Sequence, residues 1–272
     1  MSTTKILTLV VSMAPFVLGA QNLVKNGDAE TGVECWPKGS VQAVAEKPHA
    51  GASCFKTATT HVVSTEIIPI DGAKTYKISG WFKSADDKKA DLYFGLSPLD
   101  ADKKTIIANY VNVMPGTETE LAAACKPEDT VIKVKDGSKW DIKDKYSHVA
   151  FEVDNSGEYK DLPNKNISAG VITKVDKKDN LSEVTFDKPC GMTFPAGSKV
   201  RIHKDGGYMY PVYAGGFQSP DWKEFSAEIK GSAKFGCGGQ QFWPGTQNVQ
   251  ILVLSLNGGM VFFDDLKLEE KK

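Results

Sequence analysis

The sequence lacks the short motifs that most often mark a catalytic or nucleotide-binding site. It has no G-x-S-x-G turn for a nucleophilic serine, no H-E-x-x-H pair for zinc and no G-x-x-x-x-G-K-S/T loop for phosphate. Its glycine-rich stretch, residues 236–239, lacks the third glycine of a dinucleotide site, and its four histidines are scattered. The usual signatures of serine hydrolases, zinc proteases and nucleotide-binding enzymes are therefore excluded.

An excess of positive charge is also missing. The chain has 33 Lys and Arg residues against 34 Asp and Glu residues, and the two signs are mixed along it. Nucleic acids are bound through basic stripes or patches that neutralise phosphates, and the sequence offers none. We therefore expect no nucleic-acid partner.

Long hydrophobic runs are absent after residue 20. Residues 1–20 have the pattern of a secretory signal, with Lys5 in the charged region, an apolar region over residues 6–18 and small residues before a cleavage point after Ala20. A bilayer span needs about 20 apolar residues, so this run is too short and we expect no membrane span. The mature protein is expected to be secreted, periplasmic or on the cell surface.

Cysteine is sparse, and no pair has the C-x-x-C or C-x-x-H spacing of a zinc site. The five cysteines are Cys35, Cys54, Cys125, Cys190 and Cys237. An oxidising compartment permits disulfides, and an odd number leaves at least one thiol free. A disulfide between Cys125 and Cys190 would close the segment between them into a loop. The alternative is that they are buried free thiols.

The remaining pattern is typical of an all-β protein. Short apolar runs are separated by Gly, Pro, Asn and Asp, and long helical periodicity is absent. Residues 75–83 and 91–96 alternate between apolar and other side chains, as in strands with one buried face. This alternation directs Trp81 and Tyr93 away from the core.

The composition of the chain changes between residues 117 and 206. Lysine becomes more frequent, and short strand-like pieces are separated by turns. Such a segment is typical of a small β-rich domain inserted in a surface loop. The sequence therefore predicts a discontinuous β-sandwich, residues 21–116 and 207–272, that carries an inserted domain over residues 117–206.

Two short acidic stretches lie near the ends of the mature chain. Asp28 and Glu30 follow an Asn-Gly turn, and Asp264 and Asp265 lie within an apolar run. If the two ends meet, these four carboxylates repel one another unless a hard cation such as calcium neutralises them. The alternative is that they are solvated turn residues.

These stretches also carry a resemblance to a known family. The opening N-L-V-x-N-G-D-x-E (residues 22–30), the closing F-D-D-L-x-L (263–268), the glycine turn at 49–53, the strand at 72–84 and W-K-E-F at 222–225 are similar to the family 4/9 carbohydrate-binding modules. The resemblance leaves roughly 90 residues in the middle unexplained.

The resemblance implies a fold and two sites. The fold is a jelly-roll β-sandwich, and glycan chains lie in a cleft across one of its sheets. A structural calcium ion is implied near Glu30 and Asp264 or Asp265. Asp28 and the turn at 51–53 are further sources of oxygen ligands.

Aromatic side chains are the candidates for sugar binding, because a sugar ring stacks its C–H groups on an aromatic face. Trp81 and Tyr93 are the first candidates, and the further ones are Trp36, Tyr208, Tyr210 and Trp243. Three alternatives stay open: the inserted segment or a loop covers the Trp81 and Tyr93 face, Trp36 packs beside the amino-terminal turn, and Trp243 plugs one end of the sandwich.

The predicted function is that of a secreted, non-catalytic protein that binds a polysaccharide or another glycan. A polysaccharide hydrolase or lyase is an alternative, because the paired carboxylates of such enzymes can come from distant strands. A cell-surface structural or adhesion protein that uses the same sandwich without sugar is the other alternative.

Overall fold

The computed structural model describes residues 21–140, 142, 146–178 and 181–271. The predicted signal sequence, residues 1–20, lies outside this part. Within it, strands dominate and the helical structure is a 3-10 turn at Ala108–Tyr110. No helix of the described residues is long and apolar enough to cross a membrane.

The described part of the chain forms sixteen strands. The strands before the predicted insertion are β1 (Gln42–Val44), β2 (Cys54–Thr57), β3 (His61–Val63), β4 (Ile68–Pro69), β5 (Thr75–Ser84) and β6 (Ala90–Leu99). The middle of the chain forms β7 (Thr119–Glu120), β8 (Val131–Val134), β9 (Ser147–Phe151), β10 (Ile172–Lys178), β11 (Leu181–Phe186) and β12 (Lys199–Lys204). The last four are β13 (Met209–Phe217), β14 (Lys223–Lys230), β15 (Asn248–Leu256) and β16 (Val261–Glu270).

Two antiparallel sheets form the sandwich. The first, in the order β1-β2-β16-β5-β14, is called sheet A below, and the second, β13-β6-β15-β3 with β4 also paired to β15, is called sheet B. Their inner faces share one core, in which Phe82 of sheet A contacts Phe94 of sheet B with ring centroids 5.1 Å apart. The predicted fold, a jelly-roll β-sandwich, is confirmed.

The alternation predicted in β5 is what builds this core. Tyr76, Ile78 and Phe82 are buried among the core residues, as the sequence pattern requires. Gly80 lies on the same face by alternation, and Leu266 packs against it: a Cβ there would come within 2.4 Å of the Leu266 side chain. A side chain at this position would therefore displace a buried leucine.

The two ends of the described chain are joined. The Asn22 side chain donates to the Leu266 carbonyl oxygen at 3.2 Å and accepts from the Leu268 amide at 3.1 Å. The amide of Leu23 also donates to the Leu268 carbonyl at 2.9 Å. Start and end of the sandwich thus form one hydrogen-bonded unit.

The middle of the chain has its own sheets and its own core. Strands β10-β11-β8 and β7-β12-β9 form two three-stranded sheets. The buried residues between them run from Leu121 to Ile202 and include Trp140, Phe151 and Val184. A β-rich insertion is therefore present, and the domain boundaries at 117 and 206 stay a prediction.

Cys125 and Cys190 meet inside the core of the insertion. Both are buried, and their Sγ atoms lie 3.0 Å apart without a bond between them. Burial is the main reason that the pKa of the Cys125 thiol is raised, with the contact to Cys190 next. This contact is compatible with both alternatives given above, a disulfide and a pair of buried free thiols.

Candidate functional site

The outer face of sheet B carries a row of aromatic side chains. Tyr213 of β13 pairs with Tyr93 of β6, Tyr93 with Leu254 of β15, and Leu254 with His61 of β3. Residues paired across antiparallel strands point to the same side of the sheet, so these four side chains share the outer face. Leu254 is buried beneath its neighbours, whereas Tyr213 is 59% exposed.

The tyrosines in this row contact one another closely. The Tyr93 and Tyr213 rings are stacked with centroids 4.4 Å apart, and Tyr210 approaches Tyr93 edge-on at the same distance. Partial burial and then the neighbouring Tyr213 raise the pKa of Tyr93, so its hydroxyl group is protonated at neutral pH. The cluster offers a surface of ring faces and hydroxyl groups.

A second aromatic pair extends the row. The Tyr208 ring stacks on the His61 ring with centroids 4.9 Å apart, and Tyr208 is 52% exposed. Burial lowers the pKa of His61, which favours the neutral imidazole. We refer to Tyr93, Tyr208, Tyr210, Tyr213 and His61 together as the tyrosine surface.

Polar groups lie beside the tyrosine surface. Asp91 is two residues before Tyr93 on β6 and therefore points to the same outer face. Its Oδ2 accepts a hydrogen bond from the Asn257 amide at 2.8 Å. The ring faces supply apolar contacts, and the carboxylate and amide groups supply hydrogen bonds. A ligand ring that carries many hydroxyl groups needs both kinds of contact.

Trp81 does not share this face, and the prediction that it lies with Tyr93 on one surface is wrong. Strands β5 and β6 are consecutive in the chain but belong to different sheets, so their outward side chains point to opposite sides of the sandwich. One face of the Trp81 indole is also covered by His49, with ring centroids 3.9 Å apart. The alternative given in the sequence analysis, in which a loop covers this position, therefore describes Trp81.

Trp36 and Trp243 are buried, which removes both from the candidates for stacking on a sugar. Trp36 is 3% exposed and packs against Phe55 and Phe263 in the core. Trp243 is 1% exposed and donates from its indole nitrogen to the Gly238 carbonyl at 3.0 Å. They correspond to the alternatives in which Trp36 packs near the amino-terminal turn and Trp243 closes the sandwich.

Tyr213 and His61 were missed by the sequence analysis. Tyr213 lies five positions after Tyr208, and in a regular strand an odd spacing points to opposite faces. The pairing of β13 with β6 shifts between Met209 and Val212, and this irregularity brings Tyr213 to the tyrosine side. The Pro211 in this stretch was the available signal for such a bulge.

The predicted metal ligands lie around one turn, residues 49–53. Glu30 Oε1 accepts hydrogen bonds from the amides of Ala52 and Ser53 at 2.8 and 3.0 Å. Asp264 Oδ2 accepts from the amides of His49 and Ala50 at 2.9 and 3.3 Å. The two carboxylates therefore hold the turn from both of its ends.

The glycine of this turn has no room for a side chain. Gly51 has a φ of +63°, and a Cβ on it would lie 2.3 Å from Glu30 Oε1. The positive φ therefore favours glycine here, and a Cβ would displace the Glu30 carboxylate from the turn. The turn at 49–53, which carries part of the family resemblance, thus binds the Glu30 carboxylate through its backbone amides.

The four carboxylates do not meet at one point. Asp265 Oδ2 is 2.7 Å from His49 Nδ1, and Asp28 Oδ1 accepts from the Glu30 amide at 3.3 Å. In the described part of the chain, no group of three or more His, Cys, Asp and Glu side chains could hold a metal ion. A cation here would need Glu30, Asp264 and backbone oxygens as its ligands.

Asp264 differs from the other three because it is fully buried. Burial raises its pKa to about 6, and the amides of Ala50, Asp265 and His49 counteract that rise in part. A buried carboxylate without a cationic partner is unfavourable in its ionised form. Glu30 and Asp264 are thus the two predicted ligands whose carboxylates face the amides of the same turn.

The comparisons with known proteins agree with the sequence-based resemblance. Residues 21–135 match the CBM_4_9 family model, described as a carbohydrate binding domain. No curated protein sequence matches this chain.

Solved structures that match this chain have low identity and low TM-scores. A Family 16 Carbohydrate Binding Module-2 is 13% identical, with 91% of this chain and 99% of that chain covered and a TM-score of 0.34. The CBM22-1 xylan-binding domain from Paenibacillus barcinonensis Xyn10C is 10% identical, with 93% and 96% covered and a TM-score of 0.38.

Proposed function

We propose, from the carbohydrate binding domain matched by residues 21–135, that this protein binds a polysaccharide on the tyrosine surface. The observation that carries the proposal is the aligned row of Tyr213, Tyr93 and His61 across sheet B, with Tyr208 stacked on its end. Sugar rings pack their C–H faces against aromatic rings, and Asp91 and Asn257 are suited to bonding their hydroxyl groups.

The proposed role is binding without cleavage. Glycoside hydrolysis by the common mechanisms needs two carboxyl groups on either side of the scissile bond. The tyrosine surface consists of tyrosines and a histidine, and the nearby Asp91 carboxylate accepts a hydrogen bond from Asn257.

We further propose that the protein acts outside the cytoplasm, as the signal-like residues 1–20 suggest. Release of reducing ends from a bound polysaccharide would favour the enzyme alternative.

Tyr213→Ala is expected to weaken polysaccharide binding about threefold to tenfold, because an aromatic contact contributes on the order of 1 kcal/mol. Affinity gel electrophoresis against a panel of polysaccharides identifies a binding polymer, and calorimetry then compares the variants. Trp81→Ala is the matched control, since it removes an aromatic side chain from the opposite sheet. If Trp81→Ala weakens binding and Tyr213→Ala does not, the site is on sheet A.

We also propose that a calcium ion stabilises the turn at 49–53, with Glu30 and Asp264 as its side-chain ligands and backbone carbonyl oxygens completing the set. Calcium takes six to eight oxygen ligands, and carbonyl groups commonly supply several of them. The ion would offset the unfavourable burial of the Asp264 carboxylate. Its role would be structural, because the turn lies against sheet A, away from the tyrosine surface.

Removing calcium is expected to lower the melting temperature. A ligand present at one hundred times its dissociation constant stabilises the folded state by about 2.7 kcal/mol. The wild type should therefore have a higher melting temperature with calcium than with chelator. This difference should vanish in Glu30→Gln and in Asp264→Asn. Asp265→Asn is the control, since its carboxylate contacts His49. Equal melting of the wild type in both solutions, with no calcium by elemental analysis, rules out the site.

A further inference from the structure

A pocket of about 970 Å³ opens at one side of the sandwich. It lies between β13 and β14, which are the edge strands of sheets B and A, and beneath the segment 233–241. The side chains and backbone that line it include Tyr210, Glu228, Lys230, Phe235, Gln240 and Gln241. We call it the edge pocket. Its volume is at the upper end of the range of about 300–1,000 Å³ typical of small-molecule sites.

The segment above the pocket is fixed at several points. The amide of Lys230 donates to the Gln240 carbonyl at 2.8 Å, and the Trp243 indole donates to the Gly238 carbonyl at 3.0 Å. Gly239 lies directly on β13, where a Cβ would be 2.9 Å from the Tyr210 carbonyl oxygen. These contacts form the pocket before any ligand arrives, which reduces the entropy lost on binding.

The insertion supports one wall of the pocket. Tyr159 packs on Phe235 with ring centroids 4.8 Å apart, and Glu158 pairs with Lys234 at 3.1 Å. The buried Arg201 guanidinium lies 5.3 Å from the centre of the Tyr159 ring and so anchors it from the other side. Phe235 is therefore positioned by a residue outside the sandwich.

The lining has the mixed chemistry of a sugar site. Phe235 supplies an aromatic face, and the amides of Gln240 and Gln241 both donate and accept hydrogen bonds. The Glu228 carboxylate is paired with Lys230 and Lys271, and the hydrogen bond from Lys271 is the main reason that its pKa is lowered. The Glu228 carboxylate is thus held by two lysines, and the aromatic ring and the amides of the lining suit a ligand with many hydroxyl groups.

We infer that the edge pocket, which borders the tyrosine surface at Tyr210, is a second carbohydrate site that takes the end of a short oligosaccharide while the tyrosine surface takes a longer chain. Phe235 stacks on a sugar ring, Gln240 and Gln241 bond its hydroxyl groups, and Tyr159 of the insertion is a positioning residue for Phe235. The inference rests on the proposed glycan binding, and it gives the insertion a role in completing the site.

Calorimetry with a panel of short soluble oligosaccharides tests the inference. Phe235→Ala and Tyr159→Ala are expected to weaken oligosaccharide binding about threefold to tenfold, the effect of losing one aromatic contact. Tyr159→Phe keeps the ring and is expected to bind as the wild type does. Tyr213→Ala is expected to weaken polysaccharide retention and leave oligosaccharide affinity unchanged. Thermal melting checks that each variant is folded, and if Tyr159→Ala is not, Phe235→Ala decides.

The outcomes separate this inference from the proposed function. If the wild type retains a polysaccharide but binds no oligosaccharide of the panel, or if Phe235→Ala binds oligosaccharides as tightly as the wild type, the edge pocket is not a sugar site. The effect of Tyr213→Ala on polysaccharide retention still decides the role of the tyrosine surface. Loss of both activities in Tyr213→Ala would indicate one continuous site and overturn the inference.

Discussion

Asp161→Ala is expected to lower the free energy of unfolding by about 3–5 kcal/mol, because removing one partner of a buried ion pair leaves the other charge uncompensated. The Arg201 side chain is fully buried, and its Nη2 atom lies 2.7 Å from Asp161 Oδ2. Without Asp161, the guanidinium keeps two neutral acceptors among the described residues, His203 Nε2 and the Asp154 carbonyl oxygen at 3.2 Å. Denaturant unfolding followed by circular dichroism measures the change.

The imidazole next to Arg201 is neutral and does not replace the charge of Asp161. Arg201 Nε donates to His203 Nε2 at 2.8 Å, while His203 Nδ1 lies 2.7 Å from the Asn109 carbonyl oxygen. Burial and then the charge of Arg201 lower the pKa of His203 to about 4, so the imidazole is neutral at pH 7. A neutral His203 satisfies one donor of Arg201 but does not balance its charge.

Asp176→Ala is the matched control for this experiment. Asp176 pairs with Lys174 at 2.8 Å on the exposed strand β10, and such surface pairs contribute at most about 1 kcal/mol. The double variant Arg201→Met with Asp161→Leu is expected to be more stable than Asp161→Ala alone, since it removes both buried charges. Equal stabilities of Asp161→Ala and Asp176→Ala would show that the buried pair is unimportant.

Oxidation of Cys125 and Cys190 to a disulfide is expected to raise the free energy of unfolding by about 4 kcal/mol, the chain-entropy effect of closing a long loop. The two cysteines are 65 positions apart in the chain. Glutathione disulfide is the oxidant. The two cysteine thiols lose two hydrogen atoms and form one S–S bond, and glutathione disulfide is reduced to two glutathione molecules. Because burial raises the Cys125 thiol pKa, the reaction is expected during folding, before the core closes.

The measurement compares protein refolded with glutathione disulfide and protein refolded with dithiothreitol. Intact mass identifies the loss of two hydrogen atoms, and denaturant unfolding gives the stability difference. Cys125→Ala should show no such difference, whereas the control Cys54→Ala, which removes another buried thiol, should keep it. A wild type whose mass and stability are the same after both treatments has a pair of buried free thiols instead.

Strand alternation predicted much of the sandwich because it is a local property. The side chain of every second residue points to the same face, so residues 75–83 and 91–96 were sufficient to identify which side chains enter the core. Both became long strands, with Ile78 and Phe94 buried as expected. The same reasoning correctly directed Trp81 and Tyr93 away from the core.

Alternation could not tell which sheet each strand joins. Trp81 and Tyr93 lie on opposite sides of the sandwich because β5 and β6 pair with different partners far along the chain, β16 and β15. The carboxylates near the chain ends were separated for a similar reason. Backbone amides of the turn at 49–53 and the His49 ring compete for them, and those partners come from another segment.

The all-β class, the meeting of the chain ends and the β-rich insertion could be read from the sequence, because each rests on local periodicity, turn residues or a recognisable motif. The burial of Trp36 and Trp243, the place of Tyr213 in the tyrosine surface and the contact of Tyr159 with Phe235 became evident from the folded chain. A bulge, a sheet order and a contact between distant loops depend on packing between segments, which spacing along one segment does not encode.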